Sequence, residues 1–311
     1  GACVADVLVV GGNGFIGSHL VDALSEGGHR VTAFDRFSTG APTFRSSAVR
    51  MLPGDFLSRS DLEAAVRGHE VVFHFLATTS PATAEADPTL DIRTNVIQTV
   101  ELLTACAEAG VRHVYFASTG GAIYGPQERS DFSETSPTLP ISPYGIGKLT
   151  IEHYLRYFRA KHGLRSTSLR ISNPYGTRQH PNRKQGLIPI ALRQIARGES
   201  VARYGDGSMV RDYVYVDDLV RMLVPLVDAD PRHEVYNLGS GRGSSVTEVL
   251  DAIGRVTGAP VRVHEIPTPA TFVDRVVLDV TRFDEEFGIS VPTTLEEGIA
   301  ATWADMTGER A

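Results

Sequence analysis

Short apolar runs and amphipathic stretches alternate through the first half of the chain. The runs at residues 5–10, 30–34, 50–57, 70–76, 112–118 and 165–172 have the length of strands. Between them, residues 18–26, 61–67, 88–109 and 144–162 space apolar side chains three and four apart, the period of one helix face. Strand and helix in alternation predict a parallel sheet covered on both sides by helices. From residue 173 to about 208 loops replace this rhythm, and residues 211–219 and 234–240 read as sheet elements returning to the first unit. A helix over 246–256, a strand over 260–265 and terminal helices complete the pattern. The expected organisation is therefore a first unit of residues 1–172 with about 209–240, and a smaller, partly discontinuous lobe of about 173–208 with 241–311.

The first turn of this pattern carries chemistry. The strand at 5–10 runs into Gly11-Gly-Asn-Gly14-Phe15-Ile16-Gly17 and then a helix. Gly11 permits the tight turn, Gly14 lets backbone approach a pyrophosphate, and Gly17 lets the helix pack on the strand. The helix N-terminus faces the anion. The second strand ends at Asp35, placed to accept from both ribose hydroxyls of NAD and to repel the extra phosphate of NADP. Arg36 follows, either a contact for that phosphate or a solvated loop charge. The third run ends at Gly54-Asp55-Phe56, where Asp55 either bonds an adenine amine or caps the helix at 61–67. The fourth ends in Leu76-Ala77-Thr78-Thr79-Ser80, small residues suited to a crevice where cofactor and substrate meet. His74, inside that run, reads as a buried, satisfied histidine. These features make the α/β fold a doubly wound Rossmann sheet.

A second constellation lies at Ser142-Pro-Tyr144-Gly-Ile-Gly-Lys148. Four residues apart on a helix, Tyr144 and Lys148 share a face. A phenol is a weak base at neutral pH, and a neighbouring ammonium is expected to bring its pKa down. Such a pair can take a proton from a sugar or alcohol hydroxyl while hydride leaves the same carbon. The fifth strand ends in Ser118-Thr119-Gly120-Gly121-Ala122, placing a hydroxyl donor opposite that helix.

Composition narrows the partners. The 311 residues are 42% hydrophobic and 22% charged, enough for a large core. A net charge of −7 argues against nucleic acid. Cys3 and Cys106 form no metal or redox spacing, and no apolar run is long enough to span a membrane. With no apolar leader before the first strand, a reduced cytoplasmic protein is expected.

The strings VGGNGFIGSHL, ASTGGAIYG, SPYGIGK, NPYGTRQ and YGDGSMVRDYVYVDDL together resemble the extended short-chain dehydrogenase/reductase family. Within it they look most like the NAD-dependent nucleotide-sugar 4-epimerases of the UDP-glucose 4-epimerase type. The resemblance implies Tyr144 as catalytic acid/base, Lys148 as ribose ligand and pKa tuner, and Thr119 or Ser118 as hydroxyl donor. It implies cofactor contacts at Gly11, Gly14, Phe15, Ile16, Gly17, Asp35, Asp55, Phe56, Leu76, Ala77, Asn95, Tyr144 and Lys148. A UDP-sugar would meet Thr78, Thr119, Asn173, Leu187, Ile188, Tyr204, Arg211 and Asp274. Tyr204 would lie on the base unless it is a core aromatic. Arg211 would clamp the diphosphate unless it pairs with Asp212 or Asp217. The helix begun at Gly186 offers free amides to phosphate or uracil. A homodimer through helices 88–109 and 144–162 is the family expectation.

Two departures matter. Thr271 stands where relatives carry a nucleotide-binding arginine. The loop at His180-Pro-Asn-Arg183-Lys184 is basic where relatives are acidic or neutral: either it is a solvated basic surface loop, or Arg183, Arg178 or His180 would hold the carboxylate of a uronic-acid substrate such as UDP-glucuronate. The rival activities are a sugar-nucleotide dehydratase or decarboxylase and a non-catalytic NAD-dependent regulator. Gly120-Gly121-Ala122 lacks the acids that elimination requires, and an intact Thr/Tyr/Lys set has no purpose in a regulator.

Overall fold

The computed structural model describes residues 3–179, 186–288 and 291–308. In chain order the first half contains β1 (Asp6–Val10), α1 (Phe15–Glu26), β2 (Arg30–Asp35), β3 (Arg50–Pro53), α2 (Arg59–Val66) and β4 (Val71–His74). Then come α3 (Pro81–Ala86), α4 (Pro88–Asp91), a π turn (Ile92–Val96), α5 (Ile97–Ala109), β5 (His113–Thr119), β6 (Asp131–Phe132), α6 (Pro143–His162) and β7 (Arg165–Ile171). The second half contains β8 (Asn173–Tyr175), α7 (Leu187–Ala196), β9 (Val201–Tyr204), β10 (Val210–Tyr215), α8 (Val216–Leu223) and β11 (Val235–Leu238). It ends with β12 (Gly243–Ser245), α9 (Val246–Thr257), β13 (Val263–Ile266), β14 (Arg275–Leu278), α10 (Thr281–Phe287) and α11 (Leu295–Thr307).

Seven strands form one parallel sheet in the order β11-β7-β5-β4-β1-β2-β3. Its order reverses between β1 and β4, which opens a crevice beyond their C-terminal ends. Alternate residues of each strand enter different cores, as the two-residue strand period requires. Val7, Val9, Phe73 and Tyr115 pack with Leu20 and Leu24 of α1 and Leu219 and Leu223 of α8. Leu8, Val10, Val72, Val114 and Phe116 pack with Leu62 of α2, Leu102 of α5 and Ile151 and Leu155 of α6. Burial on both faces is why these strands read as unbroken apolar runs.

The remaining strands make a second sheet, β12-β10-β14-β6 with β8 beside β10, and a β13-β9 pair. Around them α7, α9 and α11 enclose Ile188, Leu192, Val249, Ile253 and Ile299.

Four expectations change. Residues 211–219 do not join the large sheet: β10 pairs with β12, β14 and β8, and α8 follows at once. Val216, Leu219, Val220 and Leu223 are buried at helical spacing, and Asp217 and Asp218 favour the helix N-terminus. The third strand stops at Pro53, and Leu57 is exposed. The strand expected at 260–265 runs Val263–Ile266. The single helix expected at 88–109 is interrupted by the π turn, in which the Ile97 amide reaches back to the Ile92 carbonyl. Such turns often mark functional positions.

Candidate active site

At the sheet's crevice, Gly11 adopts φ +88°, a left-handed conformation that favours glycine. Its carbonyl accepts from Gly14 N at 3.0 Å, and a methyl group on Gly17 would collide with that same carbonyl. Gly17 therefore lets α1 close on the turn itself, rather than on the strand. Gly14 caps α1 with no side chain, so the amides of Phe15 and Ile16 begin the helix unshielded. Asp35 closes the far side: its carboxylate accepts from Asn13 N at 3.0 Å and Arg36 N at 2.8 Å. Arg36 itself is exposed and faces Asp55 at 3.4 Å. Ser58, not Asp55, caps α2. Asp55 instead accepts from Leu57 N. The Phe56 ring is committed to the core against His74. Leu76 packs directly on Gly11. A glycine cradle, bare helix amides and a carboxylate at the end of β2 fit a dinucleotide.

Loop Ala77–Ser80 is fixed by the π turn. Asn95 Oδ1 accepts from Thr78 N at 2.9 Å, while Asn95 Nδ2 donates to Thr79 Oγ1 at 2.7 Å and Asp91 Oδ1 at 2.9 Å. Asn95 is thus buried and engaged on both sides of its amide, and shapes the crevice through the loop. Thr78 remains exposed, its hydroxyl 2.5 Å from that of Thr94. His74 is buried with Nε2 2.8 Å from Thr99 Oγ1; among the described residues Nδ1 has no partner, so it is satisfied at one nitrogen only. Burial drives its pKa down to about 3, so it is neutral.

Ser142 caps α6, accepting from Gly145 N at 3.1 Å. Tyr144 and Lys148 follow on one face, the Lys148 Nζ lying 5.5 Å from the Tyr144 ring centre and 5.0 Å from that of Phe116. Lys148 is 8% exposed and donates to the Ala117 carbonyl of β5 at 3.0 Å. The turn after β5 packs on the same helix. Thr119 Oγ1 accepts from Ala122 N at 3.3 Å, and the Ala122 carbonyl lies against Gly145.

The expected electrostatics of this pair are reversed. Burial, and then the Asp91 carboxylate, push the Tyr144 phenol up to about 12 rather than down. Burial pulls Lys148 down to about 8, against the opposing pull of Asp91. Desolvation is the larger cause for both groups: Lys148 is buried and Tyr144 is half-buried. Ser118 also departs from expectation. Its hydroxyl donates to Glu152 Oε2 at 2.6 Å, so it is turned away from the role of substrate donor.

Across the crevice, α7 starts at Gly186, where among the described residues no side chain caps the helix and the Leu187 and Ile188 amides have no partner; the Ile188 side chain is core. Asn173 donates to the Asp212 carbonyl at 3.1 Å. Among the described residues Arg211 has no carboxylate at ion-pair distance, and donates only to the Val210 carbonyl at 2.8 Å. It is a largely enclosed cation whose one acidic influence, Asp274, stays beyond ion-pair distance, and it makes no salt bridge to Asp212 or Asp217. Tyr204 is 38% exposed and meets Phe272 edge-on at 4.9 Å, so it is not a core aromatic. Asp274 is exposed nearby, its carbonyl accepting from Val210 N. Arg178 is not free to hold a substrate carboxylate: it pairs with Asp22 of α1 at 2.9 Å. His180, Arg183 and Lys184 lie outside the described residues.

The profile of the NAD dependent epimerase/dehydratase family matches residues 7–239. The chain belongs to that family. It is 36% identical to a UDP-glucose 4-epimerase of Mycolicibacterium smegmatis over 95% of this chain and 96% of that one. The UDP-glucose 4-epimerase of Thermotoga maritima, solved with UDP-glucose, superposes with a TM-score of 0.91 at 37% identity, covering 97% of this chain and 99% of that one. The Thermus thermophilus enzyme, solved with NAD, gives 0.90 at 35% identity with the same coverage.

Sequence reasoning missed two groups at this epimerase-family site. One is Asp91, which packs on α6 at Gly147, between Tyr144 and Lys148. The other is the buried pair Glu152–Arg170, 2.7 Å apart, which ties α6 to β7. Glu152 sits four residues past Lys148, the same helical spacing that singled out the Tyr144 pair, and that was the available signal.

Proposed function

We propose that the protein is an NAD-dependent UDP-hexose 4-epimerase that interconverts UDP-glucose and UDP-galactose through a 4-keto intermediate. The observation that carries this reading is the packing of Tyr144 and Lys148, on one face of α6, against the end of β5: Lys148 donates to the Ala117 carbonyl, and the Thr119–Ala122 turn lies against Gly145. NAD, when bound, supplies the hydride acceptor and donor and brings a positive charge to a phenol that burial otherwise keeps protonated.

The residues then divide the work. Tyr144 Oη takes the C4 hydroxyl proton and returns it. The Thr119 hydroxyl donates to the C4 oxygen as charge gathers there. Lys148 holds the phenol side of the site and, as an ammonium, favours the phenolate. Arg211 and the first amides of α7 grip the diphosphate, with Tyr204 beside the base. Held only through its nucleotide, the keto sugar can turn its other face to the cofactor side.

Two observations weigh against the rivals. A side chain at Gly120 would press on the Leu278 methyl groups, which would have to move to admit the acid of an elimination enzyme. Arg178 is occupied by Asp22, which removes one of the cations invoked for a uronic acid. We also propose a homodimer. Ile92 and Ile97 are exposed and five residues apart, and the π turn brings that spacing onto one face. Ile146, Tyr154 and Tyr157 are exposed on the adjacent α6. An apolar face of this kind on two neighbouring helices suits self-association.

The decisive experiment incubates the protein with UDP-galactose, UDP-N-acetylglucosamine and UDP-glucuronate separately and follows C4 inversion by NMR. UDP-galactose should give UDP-glucose fastest. A 4-keto-6-deoxy sugar or a pentose as product would refute epimerisation. Tyr144→Phe should lose turnover and keep NAD.

A further inference from the structure

Asp91 ends α4 and is 3% exposed. Its Oδ1 accepts from Thr79 Oγ1 at 2.5 Å and from Asn95 Nδ2 at 2.9 Å. Its Oδ2 lies so close to Gly147 that a methyl group there would collide with it. Among the described residues no lysine, arginine or histidine stands within ion-pair distance of Asp91. A buried carboxylate in that position is costly unless another charge answers it.

Lys148 has the complementary problem. It is buried, its Nζ donates to one carbonyl, and among the described residues no carboxylate pairs with it directly. The ionisable groups that face it are Tyr144 on its own helix, His74 from β4 and Asp91 from α4. His74 is neutral. The other charges on the packed elements are engaged elsewhere or solvated. Glu152 is bound by Arg170 of β7, Glu101 of α5 faces Arg59, and Glu85 of α3 and Arg93 of the π turn are exposed.

We propose that Asp91 is a positioning residue for the Tyr144–Lys148 pair: it is the counter-charge of the Lys148 side chain and the clamp that fixes the Thr78–Thr79 loop against α6. This rests on the epimerase reading for its role in turnover, but not for the charge coupling itself. Gly147 is the contact that makes it work, since only a residue without a side chain lets the carboxylate sit between the two catalytic positions. One carboxylate oxygen holds the loop on the substrate side, and the other faces the helix that carries the acid/base. Asp91 raises Lys148 and Tyr144 together, so its removal should lower both.

The chain has only three lysines, at 148, 161 and 184, so each can be followed by ¹³Cε-lysine NMR in the full-length protein, with and without NAD. Lys148→Met identifies the signal. Asp91→Asn keeps an oxygen for Thr79 and Asn95 and removes the charge. In the ligand-free protein the Lys148 midpoint, near 8, should fall by about one pH unit in Asp91→Asn, with Lys161 unmoved. The alkaline fall in kcat of the NAD-loaded enzyme should move the same way, while KM changes by less than about threefold. A Lys148 midpoint unchanged by Asp91→Asn overturns the proposal, even if the variant is less stable. Should Asp91→Asn fail to fold, Asp91→Ser removes the same charge and is read identically. Because the titration needs no turnover, a shifted Lys148 in a protein inactive on UDP-hexoses refutes the epimerase reading alone. An unshifted Lys148 in an active enzyme refutes Asp91 alone.

Discussion

The Ser118 hydroxyl donates to Glu152 Oε2 at 2.6 Å, inside an ion pair that Arg170 completes through Nε and Nη2. Thr119, the next residue, is on the opposite face of β5, where Oγ1 accepts from Ala122 N and its own hydrogen is left to donate. The two hydroxyls are adjacent in sequence and separate in function. Thr119→Ala should lower kcat on the order of 100-fold, the cost of one preorganised donor to a developing oxyanion. Ser118→Ala should lower kcat less than about fivefold and show its effect in thermal stability. The reverse ranking in steady-state kinetics would reassign the donor.

The glycine turn makes a sharper claim about binding. A methyl group at residue 17 would strike the Gly11 carbonyl, and neither backbone can retreat because Gly11 also packs on Leu76. Gly17→Ala should therefore push α1 outward and break the alignment of its first amides. The variant should purify with little bound NAD, read as the ratio of absorbance at 260 to 280 nm, and stay largely folded by circular dichroism. Full NAD occupancy in Gly17→Ala would mean that the helix end is not the anion site.

The large sheet was legible because strands buried on both faces are written as uninterrupted apolar runs, and because strand, turn and helix succeed one another locally. Residues 211–219 were misread for a related reason. Tyr213, Val214 and Tyr215 read as a strand and are one, but they pair with Asn173, Pro174 and Tyr175 of β8, while Val210–Asp212 just before them pair with β12 and β14, so the choice of sheet rests on partners far away in the chain. The π turn left no mark in the apolar period, since one inserted residue shifts a helix face without changing its composition. At the site, residue identities and spacing brought out Tyr144, Lys148 and Thr119. What spacing could not give was the environment. The direction of the Tyr144 shift depends on burial and on Asp91, which lies 53 positions earlier in the chain and reaches α6 only through the fold.

Glu152 and Arg170 are 7% and 6% exposed as side chains, and their network continues from Arg170 to the Tyr124 hydroxyl at 3.2 Å and from there to Asn237 Oδ1 at 2.5 Å. Removing one member strands the other charge in the interior. Arg170→Met or Glu152→Leu alone should cost about 3–5 kcal/mol, measured by urea unfolding. The double variant, which strands no charge and only takes a partner from the Ser118 and Tyr124 hydroxyls, should recover at least half of that. Additive losses would show that the two side chains are not coupled. Any fall in kcat in the double variant would then measure how well the pair aligns α6 with the end of β5.

Lys148 gives a stability that depends on pH in a stated direction. Its midpoint is near 8 in the folded protein and near 10.5 in an exposed lysine, so between those values the unfolded chain holds more protons than the folded one. Unfolding therefore becomes less favourable as pH rises through that window, and below pH 8 the protein carries the full cost of a buried ammonium. Tyr144 acts oppositely and higher. Raised from 10 to about 12, it keeps its proton in the folded state, so its contribution is lost as pH climbs from 10 to 12. Lys148→Met should stabilise the ligand-free protein at pH 7 by on the order of 2 kcal/mol, while abolishing turnover. That advantage should shrink steadily from pH 8 to pH 10 in denaturant titrations. A Lys148→Met variant that is less stable at pH 7, or whose advantage grows with pH, would show that the lysine is not held in the folded state at the expense of its charge.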